Sequence, residues 1–370
     1  MMNITKKDIL VILPLAILLL LGIVMVASSS IYVGDNMSSN PFHFAQKQIL
    51  FVAIGLIVLA IFLMIPSDFF YRTDWIFMLL SICLLFILFI PEFGTSVKGS
   101  IRWIRFGSIG IQPSEICKFS LILYISGYCV RRMSEIDSLR SFLKPLTLLF
   151  LISVLILAQP DLGSTAIICV LSVGILFYAG ISFKQFCILV LLIAVLGYLA
   201  ITTSPMRMAR VLAYTDPFDI EVVQNAGWQL SNSLISIGQG GWFGLGLGNS
   251  IQKSFFLPEA HTDFIFAILV EELGLLGGLL MILLFVLLFI GLVLISFDSF
   301  KKEKFFQGYV VFGVFLLFAI QTIFHIAVNI GLVPTKGLTL PFVSYGGTSI
   351  IIVLALMGIV LRINYENKFL

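Results

Sequence analysis

Asp263 is the residue of this chain best placed to do chemistry. It lies in Leu257–Gly274, LPEAHTDFIFAILVEELG, where Pro258 and Glu259 end a polar loop and His261, Thr262 and Asp263 precede the apolar run Phe264–Val270. Glu271 and Glu272 close that run. Thr262 and Asp263 both carry the short oxygen-bearing side chain that caps a helix by accepting from a free backbone N–H. A carboxylate where water gives way to hydrocarbon is costly, so it is paired, solvated by a cavity, or functional.

Four further stretches carry polar chemistry among apolar neighbours. In Lys98–Lys118, KGSIRWIRFGSIGIQPSEICK, Arg102 and Arg105 sit beside Trp103. Their guanidinium forks match phosphate oxygens, in a substrate or in lipid headgroups. Pro113-Ser114-Glu115 reads as a helix start, and Lys118 falls on the same face as Glu115, three residues away. That pair is either a salt bridge inside the bundle or the charged lining of a substrate cavity, and intramembrane charge favours the cavity. In Gln159–Ser164, Pro160 breaks a span and Asp161 either caps the next helix or binds a ligand. The long segment 204–263 gathers Arg207, Arg210, Asn232, Gln239, Asn249 and Lys253 around the glycine-rich GQGGWFGLGLG. Amides and basic groups beside glycines make either a solvated loop, the default for any one of them, or a site for a sugar–phosphate headgroup, in which Arg210 and Lys253 would be the phosphate partners. Last, Gly331–Ser349, GLVPTKGLTLPFVSYGGTS, reads as a broken, re-entrant turn. Non-helical backbone at membrane depth must line a cavity or be buried in protein. Lys336, Ser344 and Tyr345 would then face the cavity of Asp263.

The elements that position these residues are membrane helices. Of 370 residues, 60% are hydrophobic and 11% charged, more apolar surface than one soluble core can hide. The reading is an all-α polytopic protein with about ten transmembrane helices, at 9–29, 49–65, 75–90, 114–130, 145–159, 164–181, 185–203, 273–296, 308–330 and 346–362. It is a single membrane domain over 1–370, with one long extracytoplasmic loop near 204–263 and a re-entrant turn before the last helix. Ile9–Ser29 is long enough to span and lacks a small-residue cleavage site, so it reads as the first helix. With the N-terminus inside, thirteen of the 22 basic residues fall on the inner side and eight on the outer, which favours both termini in the cytoplasm. The five cysteines lie in or beside apolar runs and read as packing residues. The three histidines are scattered, so no dedicated metal cage is expected. No basic cluster with interleaved aromatics points to nucleic acid.

Together these stretches resemble the SEDS family (shape, elongation, division and sporulation) of bacterial membrane proteins, across nearly the whole chain. Leu257–Gly274, Gly331–Gly347 and Gln112–Lys118 are the most diagnostic pieces. Gly248–Lys253, GNSIQK, and Pro334–Pro341, PTKGLTLP, resemble the cell-division members more than the elongation or sporulation ones. Trp228 stands where a Tyr is usual, Asn232 where a Gln is, Ser164 where a Thr is and Thr348 where a Ser is, departures that bear on the subtype alone.

The resemblance implies a peptidoglycan glycosyltransferase that polymerises lipid II at the outer face of the bacterial cytoplasmic membrane, at the division septum. It implies Asp263 as the catalytic aspartate, the charged pair Glu115 and Lys118, and Arg102 before them. It also implies a class B penicillin-binding protein as partner, alongside other division proteins. With one carboxylate in view, the expected chemistry is a single inverting displacement. Arg210, Lys253, Lys118, Lys336 or a divalent cation, Mg2+ or Mn2+, would neutralise the leaving pyrophosphate, the cation being held mainly by that pyrophosphate. Two other classes compete: a lipid II flippase, which needs a polar path through the full bilayer, and a non-catalytic division scaffold, which has no use for Asp263. The charges crowd the outer half, which favours the polymerase.

Overall fold

The computed structural model describes residues 5–369 except 91, 98, 99, 107, 108, 137 and 220–226. Lys98 of the first motif therefore lies outside the described residues. Helices occupy all ten expected spans: Lys6–Ser29, His43–Met64, Ser67–Ile87, Pro113–Arg131, Leu139–Leu157, Leu162–Tyr178, Phe183–Thr202, Ile265–Lys301, Phe305–Asn329 and Gly347–Phe369. Seven of these are long and apolar enough to cross a membrane by length and composition alone. The other three are Pro113–Arg131, which carries Glu115 and Lys118, and the pair Leu139–Leu157 and Leu162–Tyr178.

The helices exceed the apolar runs where polar residues find partners. The span expected at 75–90 begins at Ser67, because Ser67 donates to Glu366 through both its N–H and its hydroxyl. The span expected at 273–296 begins at Ile265 and is broken once, at Gly274, whose φ of 72° ends the regular ladder. The segment before it is stitched into that break. Leu245 N donates to Glu271 O at 2.9 Å and Gly246 N to Glu272 O at 3.0 Å, while Leu275 N and Leu276 N donate back to Gly241 O at 2.9 Å and Trp242 O at 3.2 Å. Carbonyls and amides that the helix interruption leaves open are thus satisfied by an irregular loop.

Three elements were not legible as spans. Residues 94–111 form an antiparallel sheet, β1 Gly94–Val97, β2 Ser100–Phe106 and β3 Ile109–Ile111, in the order β1-β2-β3. Its register pairs Gly94 with Ile104 and Ile104 with Ile111. Helix Pro205–Thr215 and helix Trp228–Gly240 lie in the long segment.

The chain divides into two compact units. One comprises Met1–Ala53, Leu199–Gly291 and Ala319–Gly346, and the other Ile54–Tyr198, Leu292–Phe318 and Gly347–Leu370. Asp263, Arg210, Lys253, Lys336 and Ser344 belong to the first; Arg102, Glu115 and Lys118 belong to the second.

Candidate functional site

Asp263 lies two residues before the helix that begins at Ile265, and it is partly exposed. Thr262 N and Asp263 N donate to Glu259 O at 3.1 and 3.0 Å, and Thr262 Oγ1 donates to Glu259 Oε2 at 2.9 Å. The backbone that presents Asp263 is pinned at three consecutive carbonyls. Tyr345 N donates to His261 O at 3.0 Å, Ser344 Oγ to Thr262 O at 2.7 Å, and Asn329 Nδ2 to Asp263 O at 3.1 Å. Ser344 and Tyr345 belong to the re-entrant stretch and Asn329 ends the helix before it, so these two neighbouring segments together clamp the backbone at 261–263.

The same stretch forms a wall against the carboxylate. A Cβ built on Gly337 would collide with Asp263 Oδ2. Gly337 therefore lets the backbone of PTKGLTLP approach the carboxylate as no other residue type would, and it places the half-buried Lys336 next in sequence. We expect Gly337→Ala to swing the carboxylate aside and to lower polymerisation by about a hundredfold, the cost of misplacing a reacting group. A strand-synthesis assay at saturating lipid II checks it.

Phe44 packs against two residues of the clamp, tilted against His261 with centroids 4.7 Å apart and edge-on to Tyr345 at 5.2 Å. Burial pushes the Tyr345 phenol above its ordinary value, so the ring keeps its proton at neutral pH.

Lys253 and Ser344, expected at the substrate, are both engaged inside the protein. The Lys253 ammonium is committed to an internal carboxylate, carbonyl and hydroxyl. The side chain is 1% exposed, and Nζ donates to Glu272 Oε1 at 2.7 Å, Gly248 O at 2.7 Å and Ser28 Oγ at 2.9 Å. All three donors of an ammonium group are thereby used. Ser344, likewise, does not face a cavity with its hydroxyl. Its Oγ accepts from Leu340 N at 2.8 Å while donating to Thr262 O. Both residues hold the site together rather than line it. Arg210, by contrast, stands exposed on helix Pro205–Thr215. That helix is tied to the re-entrant stretch through Tyr214 Oη and Leu332 O at 3.0 Å.

Glu271 and Glu272, which close the apolar run, are fully buried. Glu271 accepts from Ser236 Oγ at 2.6 Å, Ser250 Oγ at 2.7 Å and Ile251 N at 2.7 Å. Glu272 accepts from Ser28 Oγ at 2.6 Å as well as from Lys253. The two carboxylates gather 248–253 onto the helix just after Asp263, a role that residue type alone does not reveal.

In the second unit, Lys118 Nζ lies 2.6 Å from Glu115 Oε1, both side chains buried, so of the two alternatives the internal salt bridge is present. Pro113 opens this helix, and Gln112 N donates to Thr348 Oγ1 at 3.1 Å while Thr348 Oγ1 donates to Gly110 O at 2.9 Å. Asp161 caps its helix, accepting from Ser164 N at 3.2 Å and Ser164 Oγ at 2.7 Å. Arg102 Nη2 donates to Pro160 O at 2.9 Å, with Nε 3.7 Å from Asp161 Oδ2. Arg102 is the residue of β2 skipped by the pairing with β1, since Thr95 pairs with Trp103 and Ser96 with Ile101, whereas Arg105 pairs with Gly110 of β3. Among the described residues no three His, Cys, Asp or Glu side chains gather to hold a metal ion.

Comparison with known proteins places this membrane-helical chain with its clamped aspartate: the chain belongs to the FtsW/RodA/SpoVE family, described as cell cycle protein, which it matches over residues 8–369. It is 41% identical to a protein of Legionella pneumophila named probable peptidoglycan glycosyltransferase FtsW, over 95% of this chain and 89% of that one. A protein of the same name from Coxiella burnetii is 40% identical over 95% of this chain and 94% of that one. Among solved structures, the fold is shared with the rod shape determining protein RodA of Thermus thermophilus, at a TM-score of 0.71 and 21% identity over 99% of both chains.

Proposed function

We propose that this chain is a peptidoglycan glycosyltransferase that polymerises lipid II into glycan strands, with Asp263 as its general base. The observation that carries the assignment of the base is the clamped backbone at 261–263, which fixes a partly exposed carboxylate at a helix start in a chain of this family. The donor is a growing glycan on a polyprenyl pyrophosphate and the acceptor a second lipid II. The acceptor hydroxyl gives its proton to Asp263 as its oxygen bonds to the donor anomeric carbon. The bond from that carbon to the pyrophosphate breaks, and the pyrophosphate leaves with the electron pair. Glu271 and Glu272 are committed to the loop above, so a single displacement with inversion is the favoured course.

The exposed Arg210 and the half-buried Lys336 are the basic groups of this unit proposed to receive the pyrophosphate. Arg102, Glu115 and Lys118 are also proposed as substrate-binding residues, Glu115 and Lys118 as a pair. A divalent cation, Mg2+ or Mn2+, bound mainly to the pyrophosphate would add neutralising charge there. The protein is a multi-pass membrane protein. Both termini are proposed to be cytoplasmic, and the work to lie at the division septum.

The proposed partner is a class B penicillin-binding protein that crosslinks the new strand. In support, the fold is shared, at a TM-score of 0.77 and 21% identity over 97% of both chains, with a solved chain from work on the structural coordination of polymerization and crosslinking by a peptidoglycan synthase complex.

The test is strand synthesis from labelled lipid II by the purified protein, alone and with its transpeptidase, with Mg2+, Mn2+ or chelator. Polymer is expected, and chelation is expected to slow it. Absence of polymer under every condition, with lipid II translocation in liposomes, would replace this reading with a flippase; absence of both activities would leave a scaffold.

A further inference from the structure

We propose that Asn329 and His325, one turn apart on the helix Phe305–Asn329, are positioning residues that hold the Asp263 carboxylate in its working orientation; the inference rests on the reading of Asp263 as the base. Asn329 is fully buried and its amide is saturated. Nδ2 donates to Asp263 O at 3.1 Å and to His325 O at 2.8 Å, and Oδ1 accepts from Ala267 N at 3.1 Å. The Ala267 N–H belongs to the first turn of the helix starting at Ile265 and is shared between Asn329 Oδ1 and Phe264 O, each at 3.1 Å. One side chain from a distant helix thus caps the element that follows Asp263 and pins the carbonyl of Asp263 itself. Asn329 is anchored in turn by Ser233, whose Oγ donates to Asn329 O at 2.8 Å.

His325 performs the complementary task. Its Nδ1 lies 2.6 Å from Leu338 O. A carbonyl only accepts, so Nδ1 carries the proton. Leu338 follows Gly337, the residue whose open side abuts the Asp263 carboxylate. His325 Nε2 is buried and has no hydrogen-bond partner among the described residues, so the ring serves Leu338. A single helix face therefore sets both the backbone that carries the carboxylate and the backbone against which it rests. A general base must be held within hydrogen-bonding reach of the proton it takes, and small misplacements there are costly.

The experiment measures kcat and KM for lipid II polymerisation by the full chain with its transpeptidase, using Asn329→Ala, His325→Leu, His325→Asn and Asp263→Asn. Lipid II binding and the thermal midpoint in detergent are followed in parallel. Asn329→Ala is expected to lose about a hundredfold in kcat with KM and lipid II binding unchanged. His325→Leu is expected to fall in the same direction, and His325→Asn, whose amide N–H can occupy the Nδ1 position, to recover most of that loss. The proposal is overturned by a wild-type kcat in Asn329→Ala, by a loss carried in KM and binding, or by equal losses in His325→Leu and His325→Asn. If Asn329→Ala does not fold, the two His325 variants decide alone. Failure of the underlying reading shows separately: Asp263→Asn polymerising at the wild-type rate removes the base, whatever Asn329 does.

Discussion

Asp263→Asn is expected to abolish glycan-strand synthesis while leaving a folded protein. The substitution keeps side-chain volume and every backbone hydrogen bond around the residue, including those from Ser344, Tyr345 and Asn329 to the carbonyls of 261–263. What it removes is the capacity to accept a proton from the acceptor hydroxyl. General-base contributions run at about 10²- to 10⁴-fold, so the rate should drop by at least the lower figure and approach the limit of detection. Labelled lipid II, with strand length read on a gel, is the measurement, and an unchanged thermal midpoint shows that the fold is intact. A variant that polymerises normally would show the carboxylate to be dispensable. Asp263→Glu carries the same group one methylene further, toward the wall at Gly337, and should recover only a small part of the activity.

Lys253→Met should be among the most destabilising single substitutions. It leaves Glu272, whose side chain is 0% exposed, without its counter-charge. Breaking one side of a buried pair costs about 3–5 kcal/mol, because the remaining charge is uncompensated. Neutralising Glu272 as well, as Glu272→Gln with Lys253→Met, keeps an acceptor for Ser28 and should recover much of that loss. Chemical denaturation in detergent of the two singles and the double tests this. The expected order is the double variant above Lys253→Met, and equal stability of Lys253→Met and wild type would mean that the pair holds nothing. Loss of polymerisation should accompany the destabilisation, since 248–253 are fastened to the helix that begins beside Asp263.

Much of this was legible from residue type and spacing. Apolar length alone located the ten spans, and Pro113 marked its helix start correctly. Asp263 stood out because a carboxylate beside Phe264–Val270 needs an explanation. The stretch Gly331–Ser349 reads as broken backbone that lines a cavity or is buried in protein, and its Ser344 and Gly337 lie against the segment that carries Asp263. What was missed depends on partners far away in sequence. Lys253 looked like a free cation because its counter-charge, Glu272, read as the end of an apolar run. Asn329 looked like an ordinary helix terminus, because its bonds go to 263 and 267 on another helix. The sheet at 94–111 was hidden by its short strands, and by arginines and a tryptophan that read equally well as a membrane-interface loop.

The clamp on residues 261–263 also has a consequence for the order of biogenesis. Its N–H and O–H groups come from Asn329, Ser344 and Tyr345, and Ser344 O is in turn held by Gln48, 296 residues away, at 3.3 Å. Contacts at such separations form late, because the intervening chain must close first. The aspartate is therefore immobilised only when nearly the whole polypeptide has been synthesised and inserted. A nascent or prematurely terminated chain could occupy the membrane and carry Asp263 without being able to use it, so incomplete translation products would not draw on the cell's supply of lipid-linked precursor.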